Sequence, residues 1–210
     1  MRLGLTGGLG SGKTRVAQTL QELGAAVVDA DQLAREAVAP GTPGWRAVVE
    51  AFGGEYLCAD GLLDRRKLSR LVFADEAARR RLEAIIHPVV RQLLRERVKA
   101  LERAGAPVVV LEVPLLFEAG FADEVDKVVV VAAPEEVRLR RALARDRLTA
   151  KETRQRLAAQ LPLGEKVRRA DYVIDNSGPW EETRRQVERL WEEISHEETP
   201  RPHRTRSDEG

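Results

Sequence analysis

Only one cysteine, Cys58, occurs in 210 residues. No internal disulfide can form, which matches a reducing compartment. The three histidines, at 87, 196 and 203, are too few and too scattered for a zinc ligand set. Aromatic residues make up 4% of the chain, and 35 basic against 34 acidic residues leave a net charge of +1. Both figures tell against a nucleic-acid partner, which calls for a basic excess and stacking rings. The longest apolar runs, such as Val128–Ala133, are too short to cross a bilayer. The first residues enter a strand-like segment with no charged-then-apolar signal. What is present is ample: 43% hydrophobic and 33% charged residues describe a globular chain able to bury a core. The expectation is a cytoplasmic enzyme or switch with no nucleic-acid or membrane partner, monomeric or weakly homo-oligomeric.

Arg2–Thr6 is a short apolar stretch running straight into glycines, which predicts a buried strand and a tight turn. Val16, Ala17, Leu20 and Leu23 then fall at helical spacing, and Gly24 stops that helix. Further strands are predicted at Ala25–Asp29, Val108–Val113, Lys127–Ala132 and Tyr172–Asp175. The β-branched runs among them mark strands covered on both faces. Helical patterns fill the chain from about Asp31 to Arg103, with Pro88 expected to start a new helix after His87. A last amphipathic helix is predicted at Trp180–Ile194, and residues 197–210 read as a disordered tail. Strands alternating with helices imply a parallel α/β sheet with right-handed crossovers, interrupted between its second and third strands by a helical insertion.

Gly7-Gly8-Leu9-Gly10-Ser11-Gly12-Lys13-Thr14 fits the phosphate-binding pattern G-x-x-x-x-G-K-[ST]. Its glycines let backbone amides approach phosphate oxygens in conformations a side chain would forbid. The helix that follows points its amino-terminal dipole at the same anion. Lys13 is expected to bridge the β- and γ-phosphates, and the Thr14 hydroxyl to ligate Mg²⁺. A random chain of this length shows the pattern on the order of one time in a hundred, and here it sits between a strand and a helix, as the chemistry requires. No N-K-x-D guanine-reading tetrapeptide follows, so ATP is the expected nucleotide.

Asp29-Ala30-Asp31 stands at the end of the second strand, where ligands of parallel sheets collect. Asp31 reads equally as an acceptor for a substrate hydroxyl proton and as the N-cap of a helix over Gln32–Val38. Several spaced motifs then point one way. They are LTGGLGSGKT (5–14), VVDADQLAR (27–35), His87-Pro88, VPLLFE (113–118), RRALARD (140–146), Gln160 and ADYVIDNSG (170–178). With them, over nearly all of residues 1–196, the chain resembles the dephospho-coenzyme A kinase family.

The resemblance implies a P-loop kinase fold of three layers, with a central five-stranded parallel sheet, a helical substrate-binding insertion and a helical lid. Its parts would be a nucleotide-binding core of 1–33, 105–135 and 170–196, an insertion at 34–104 and a lid at 136–169. The implied reaction moves the γ-phosphate of ATP to the ribose 3′-hydroxyl of 3′-dephospho-coenzyme A, a phosphotransfer to an alcohol, with Mg²⁺ as cofactor. Asp31 would be the general base, with Lys13, Arg141 and Arg145 completing the catalytic set and Arg156 a weaker lid candidate. ATP would lie against Gly8, Gly10, Ser11, Gly12, Lys13, Thr14, Arg15 and Asn176. Thr6, Asp31, His87, Leu115, Leu116, Phe117 and Glu118 would face the acceptor, and Glu112 would hold Mg²⁺ through water. On the residues alone, Leu115–Phe117 read as core packing, His87 as a core or capping histidine, and Arg138, Arg147 and Arg154 as a solvated face. The alternatives are a nucleoside monophosphate kinase and an ATP-binding switch without transfer; the switch would lack Asp31 and the lid arginines.

Overall fold

In the computed structural model, residues 1–146, 153, 157 and 160–196 are described, with 145, 146 and 196 as backbone only. Five strands, β1 (Arg2–Gly7), β2 (Ala26–Asp29), β3 (Val109–Glu112), β4 (Lys127–Ala132) and β5 (Tyr172–Asp175), form one sheet in the order β2-β3-β1-β4-β5. All pairings are parallel. The helices are α1 (Lys13–Glu22), α2 (Ala30–Ala37), α3 (Pro43–Phe52), α4 (Arg65–Ala74), α5 (Glu76–Arg103), α6 (Glu135–Asp146), α7 (Leu163–Arg168) and α8 (Trp180–His196).

Alternation along the central strands builds the three layers. Leu3, Leu5, Val108, Val110, Val129 and Val131 face α1 and α8, where Val16, Leu20, Val187, Leu190 and Ile194 complete one core. Val109, Leu111, Val128 and Val130 face the opposite way and join Leu33, Val48, Leu68, Val90, Leu94 and Val98 of α2–α5 in the second. Each such side chain contributes about 1.5–3 kcal/mol by leaving water. The continuous apolar runs of β3 and β4 are thus explained by helices on both faces.

Two sequence expectations are corrected here. Pro88 does not begin a helix; it lies inside α5, which runs unbroken from Glu76 to Arg103. Proline has no amide to offer the carbonyl of Ala84, but Val90, Leu94 and Val98 are buried on one stripe beyond it, and that packing outweighs the local defect. Nor is Asp31 the N-cap of α2. Asp29 caps it, accepting from the amides of Asp31 (2.8 Å) and Gln32 (3.3 Å), so the helix starts at Ala30, ahead of the expected Gln32. The expected tail at 197–210 lies outside the described residues.

Candidate active site

Parallel pairing brings the carboxyl ends of β1, β2 and β3 to one edge of the sheet, where Asp29 stands beside Glu112 in register and Glu112 beside Leu5. From β1 the chain turns through the glycine loop into α1. Gly10 and Gly12 have φ of 75° and 93°, which only glycine adopts at little cost. A Cβ on Gly10 would overlap the backbone carbonyl of Arg138, and one on Gly12 the Asn176 carboxamide. Gly12 caps α1 with no side-chain bond and no acid in the first turn. By contrast, α2, α3, α4 and α5 each receive a side-chain cap, from Asp29, Thr42, Asp64 and Asp75. Amides left without a side-chain acceptor at a helix start form an anion site. The wholly buried hydroxyl of Ser11 in the same loop has no hydrogen-bond partner among the described residues, a second polar atom that a phosphate oxygen would satisfy.

At the first turn of α1, the Thr14 hydroxyl donates to Glu112 Oε1 at 2.8 Å. Burial pushes the Glu112 carboxyl above its ordinary pKa. The Thr14 bond and the charge of Lys13 pull it down, while Asp29 and Asp31 push it further up. These five residues therefore share one electrostatic site at the mouth of the loop. A hydroxyl and a carboxylate are the oxygen donors a hard divalent cation takes, and the residues present fit Mg²⁺.

Asn176 fastens the loop from the opposite side. Its Nδ2 donates to the Ser11 carbonyl at 2.7 Å, and its Oδ1 accepts from the Thr183 hydroxyl at 3.0 Å. Arg141 donates from Nη1 to the Asn176 carbonyl at 2.8 Å, which places its guanidinium beside the loop after β5. Arg15 lies 3.9 Å above the Trp180 ring, a cation–π contact at the same end of the site. The Arg145 side chain and Arg147, Arg154 and Arg156 lie outside the described residues.

Arg138 departs from its expected place on a solvated face. It is buried, donates from Nε to the Ala133 carbonyl at 3.1 Å, and closes over Gly8 so tightly that a Cβ there would overlap its guanidinium. Burial pushes its pKa down, with Glu135 opposing. The signal was in the spacing: Ala142, one turn further along α6, is buried too, so Arg138 shares the inward face.

The acceptor-side residues divide. Leu116 is wholly buried beneath Gly4, where any Cβ would press on its methyls at 3.2 Å, so the core-packing reading describes it. Thr6 is also wholly buried, and its hydroxyl donates to the Pro114 carbonyl at 3.1 Å. Leu115 and Phe117 are half-buried. Glu118 accepts from the Leu161 amide at 2.9 Å and pairs with Lys166 at 2.7 Å. His87 stacks edge-on against Phe121, ring centroids 6.2 Å apart. Burial lowers its pKa, Glu83 opposes and Arg91 adds to the fall. It borders a cleft of about 660 Å³ along α5 with Arg91, Arg95 and Lys99. Lys166 and Thr183 carry no sequence signal: the partners of Lys166 are about fifty residues away, and no spacing rule connects Thr183 to Asn176 seven residues before it.

The "Dephospho-CoA kinase" family model matches residues 1–182. A curated dephospho-CoA kinase of Geobacter sulfurreducens is 52% identical over 189 residues, 90% of this chain and 96% of that protein. Among solved structures, that of TT1252 from Thermus thermophilus superposes with a TM-score of 0.79 at 41% identity, covering 92% of this chain and 97% of the other. A dephospho-CoA kinase from Campylobacter jejuni gives a TM-score of 0.68 at 27% identity, over 92% of this chain and 96% of its own.

Proposed function

Because this chain belongs to the dephospho-CoA kinase family, its activity is the ATP-dependent phosphorylation that completes coenzyme A, and we propose how its residues carry that transfer. ATP lies with its phosphates in the loop Gly8–Thr14, where backbone amides and Lys13 hold the β- and γ-groups. Asn176 and Arg141 shape the purine end, with Arg15. The observation that carries the reading is the convergence of Lys13, Thr14, Glu112, Asp29 and Asp31 at one sheet edge. Cation donors and acid groups stand there together.

The residues divide the chemistry by position. Asp29 is committed to the α2 amides. Asp31, one residue into the helix and exposed, is the carboxylate that serves the acceptor. It takes the proton of the ribose 3′-hydroxyl as that oxygen bonds to the γ-phosphorus and the bond to the bridging oxygen of ADP breaks. Lys13 balances charge that develops on the transferring group. Thr14 and Glu112 would hold Mg²⁺, which when bound neutralises phosphate charge. The acceptor lies against the loop carrying Leu115 and Phe117 and against the insertion 34–104, with His87 at its edge.

Asp31→Asn tests this directly. Turnover with dephospho-coenzyme A should fall on the order of a hundredfold or more, while ATP binding by calorimetry stays within about threefold. Near-normal turnover would remove Asp31 as the base.

A further inference from the structure

Lys166 of α7 has its whole side chain inside the protein, a place where lysine persists only with its charge matched. Its Nζ pairs with Glu118 Oε1 at 2.7 Å and donates to the Pro114 carbonyl at 3.1 Å. That carbonyl also accepts the Thr6 hydroxyl, at 3.1 Å. Glu118 Oε1 in turn accepts the Leu161 amide at 2.9 Å. Next to Leu161, Gln160 accepts the phosphate-loop amide of Leu9 through its own Oε1 at 3.1 Å. One ammonium therefore stands where three pieces of chain meet: the end of β1, the loop after β3, and the segment reaching back to the phosphate loop.

Stability does not explain this arrangement. A buried ion pair is commonly matched or bettered by apolar residues of equal volume, because desolvating two charges offsets their attraction. What such a pair supplies is fixed placement. We propose that Lys166 is a positioning residue for phosphoryl transfer, resting on the function proposed above. It holds the Pro114–Glu118 loop on the acceptor side and, through Glu118 and Leu161, sets Gln160 on the Leu9 amide. A phosphate oxygen in the loop needs the same N–H that Gln160 occupies. Nucleotide binding releases the carboxamide, and the anchored segment keeps it within reach. Lys166 itself touches neither substrate.

The test compares Lys166→Met, Lys166→Arg and Glu118→Gln with the unaltered chain. Steady-state kinetics with dephospho-coenzyme A are read beside ligand-free amide hydrogen exchange and adenosine affinity. Misplacing a reacting group by about 1 Å can cost on the order of a hundredfold in rate. Lys166→Met should therefore lower kcat about tenfold or more, with adenosine affinity within about threefold. The Leu161 and Leu9 amides should exchange faster while the β3 and β4 amides stay protected. Lys166→Arg should restore much of kcat, and Glu118→Gln, which keeps an acceptor for Leu161, should fall between. An unchanged kcat, unchanged exchange at Leu161, or a loss of kcat, adenosine affinity and strand protection together would each overturn the proposal. If Lys166→Met does not fold, Glu118→Gln decides by the same two readouts. Absence of coenzyme A formation by the unaltered chain would instead overturn the function itself, and the exchange comparison would still judge the Lys166 network separately.

Discussion

Glu112 carries a pH signature that separates its structural cost from its chemical use. Burial, with Asp29 and Asp31 nearby, raises its carboxyl above the ordinary value of 4.5 despite Thr14 and Lys13. The folded protein therefore keeps this proton to higher pH than the unfolded chain. The stability so gained is complete below 4.5 and is lost as pH rises through the raised folded value. Glu112→Gln removes the titration. In ligand-free melting from about pH 4 to pH 8 the variant should gain on the parent as pH rises; a constant or shrinking difference would contradict the assignment. With Mg²⁺-ATP the order should reverse in activity, the variant losing about tenfold or more. At this scale the sequence was legible where a motif states a conformational or charge requirement. The loop glycines, Lys13 and Thr14 could be named from spacing, whereas Asp31 was singled out only by the family resemblance. The sequence was not legible for Lys166: whether a charge faces solvent or a distant carboxylate depends on which elements meet.

Elements were legible where local pattern and packing agree. The apolar runs placed β4 and β5 at their observed bounds: β4 is buried on both faces, and β5 is bounded by Asp171 and Asn176. They were not legible where the two disagree. Pro88 would end a helix on local grounds, but α5 continues through it because Val90, Leu94 and Val98 lie against the core. Pro88→Ala should consequently stabilise the protein, by up to about 3 kcal/mol, seen as a higher urea midpoint with unchanged slope. A lower midpoint would mean that the proline fits a bend on which the surrounding packing depends. The start of α2 offers a second case. Asp29→Ala removes the cap and should cost about 1 kcal/mol. It should also lower turnover beyond any effect on ATP affinity, since Asp31 hangs from the amide that Asp29 holds. Full activity with reduced stability would separate the cap from the site.

For the whole molecule, parallel alternation predicted the sheet, and the observed order β2-β3-β1-β4-β5 gives that sheet its purpose. It sets β2 and β3 side by side, so that Asp29 and Glu112 fall in register next to the phosphate loop leaving β1. Sequence spacing could not supply that order, because helices α2–α5 separate β2 from β3 along the chain. The same helices share the core beneath β3 and β4, so the acceptor-side loop is mounted on the sheet that mounts the phosphate loop. Nucleotide held there should stabilise the fold by mass action, about 2.7 kcal/mol at a hundredfold excess over Kd, and Lys13→Ala should abolish most of that gain in a thermal shift. An equal shift in the variant would place the nucleotide elsewhere.

The most direct measurement is a mass-spectrometric product assay on the purified chain with Mg²⁺-ATP and, in separate mixtures, dephospho-coenzyme A, AMP, CMP or no acceptor. Coenzyme A should form only in the first mixture, matched mole for mole by ADP. ADP formed with a monophosphate acceptor, or no acceptor-dependent ADP in any mixture, would contradict the account.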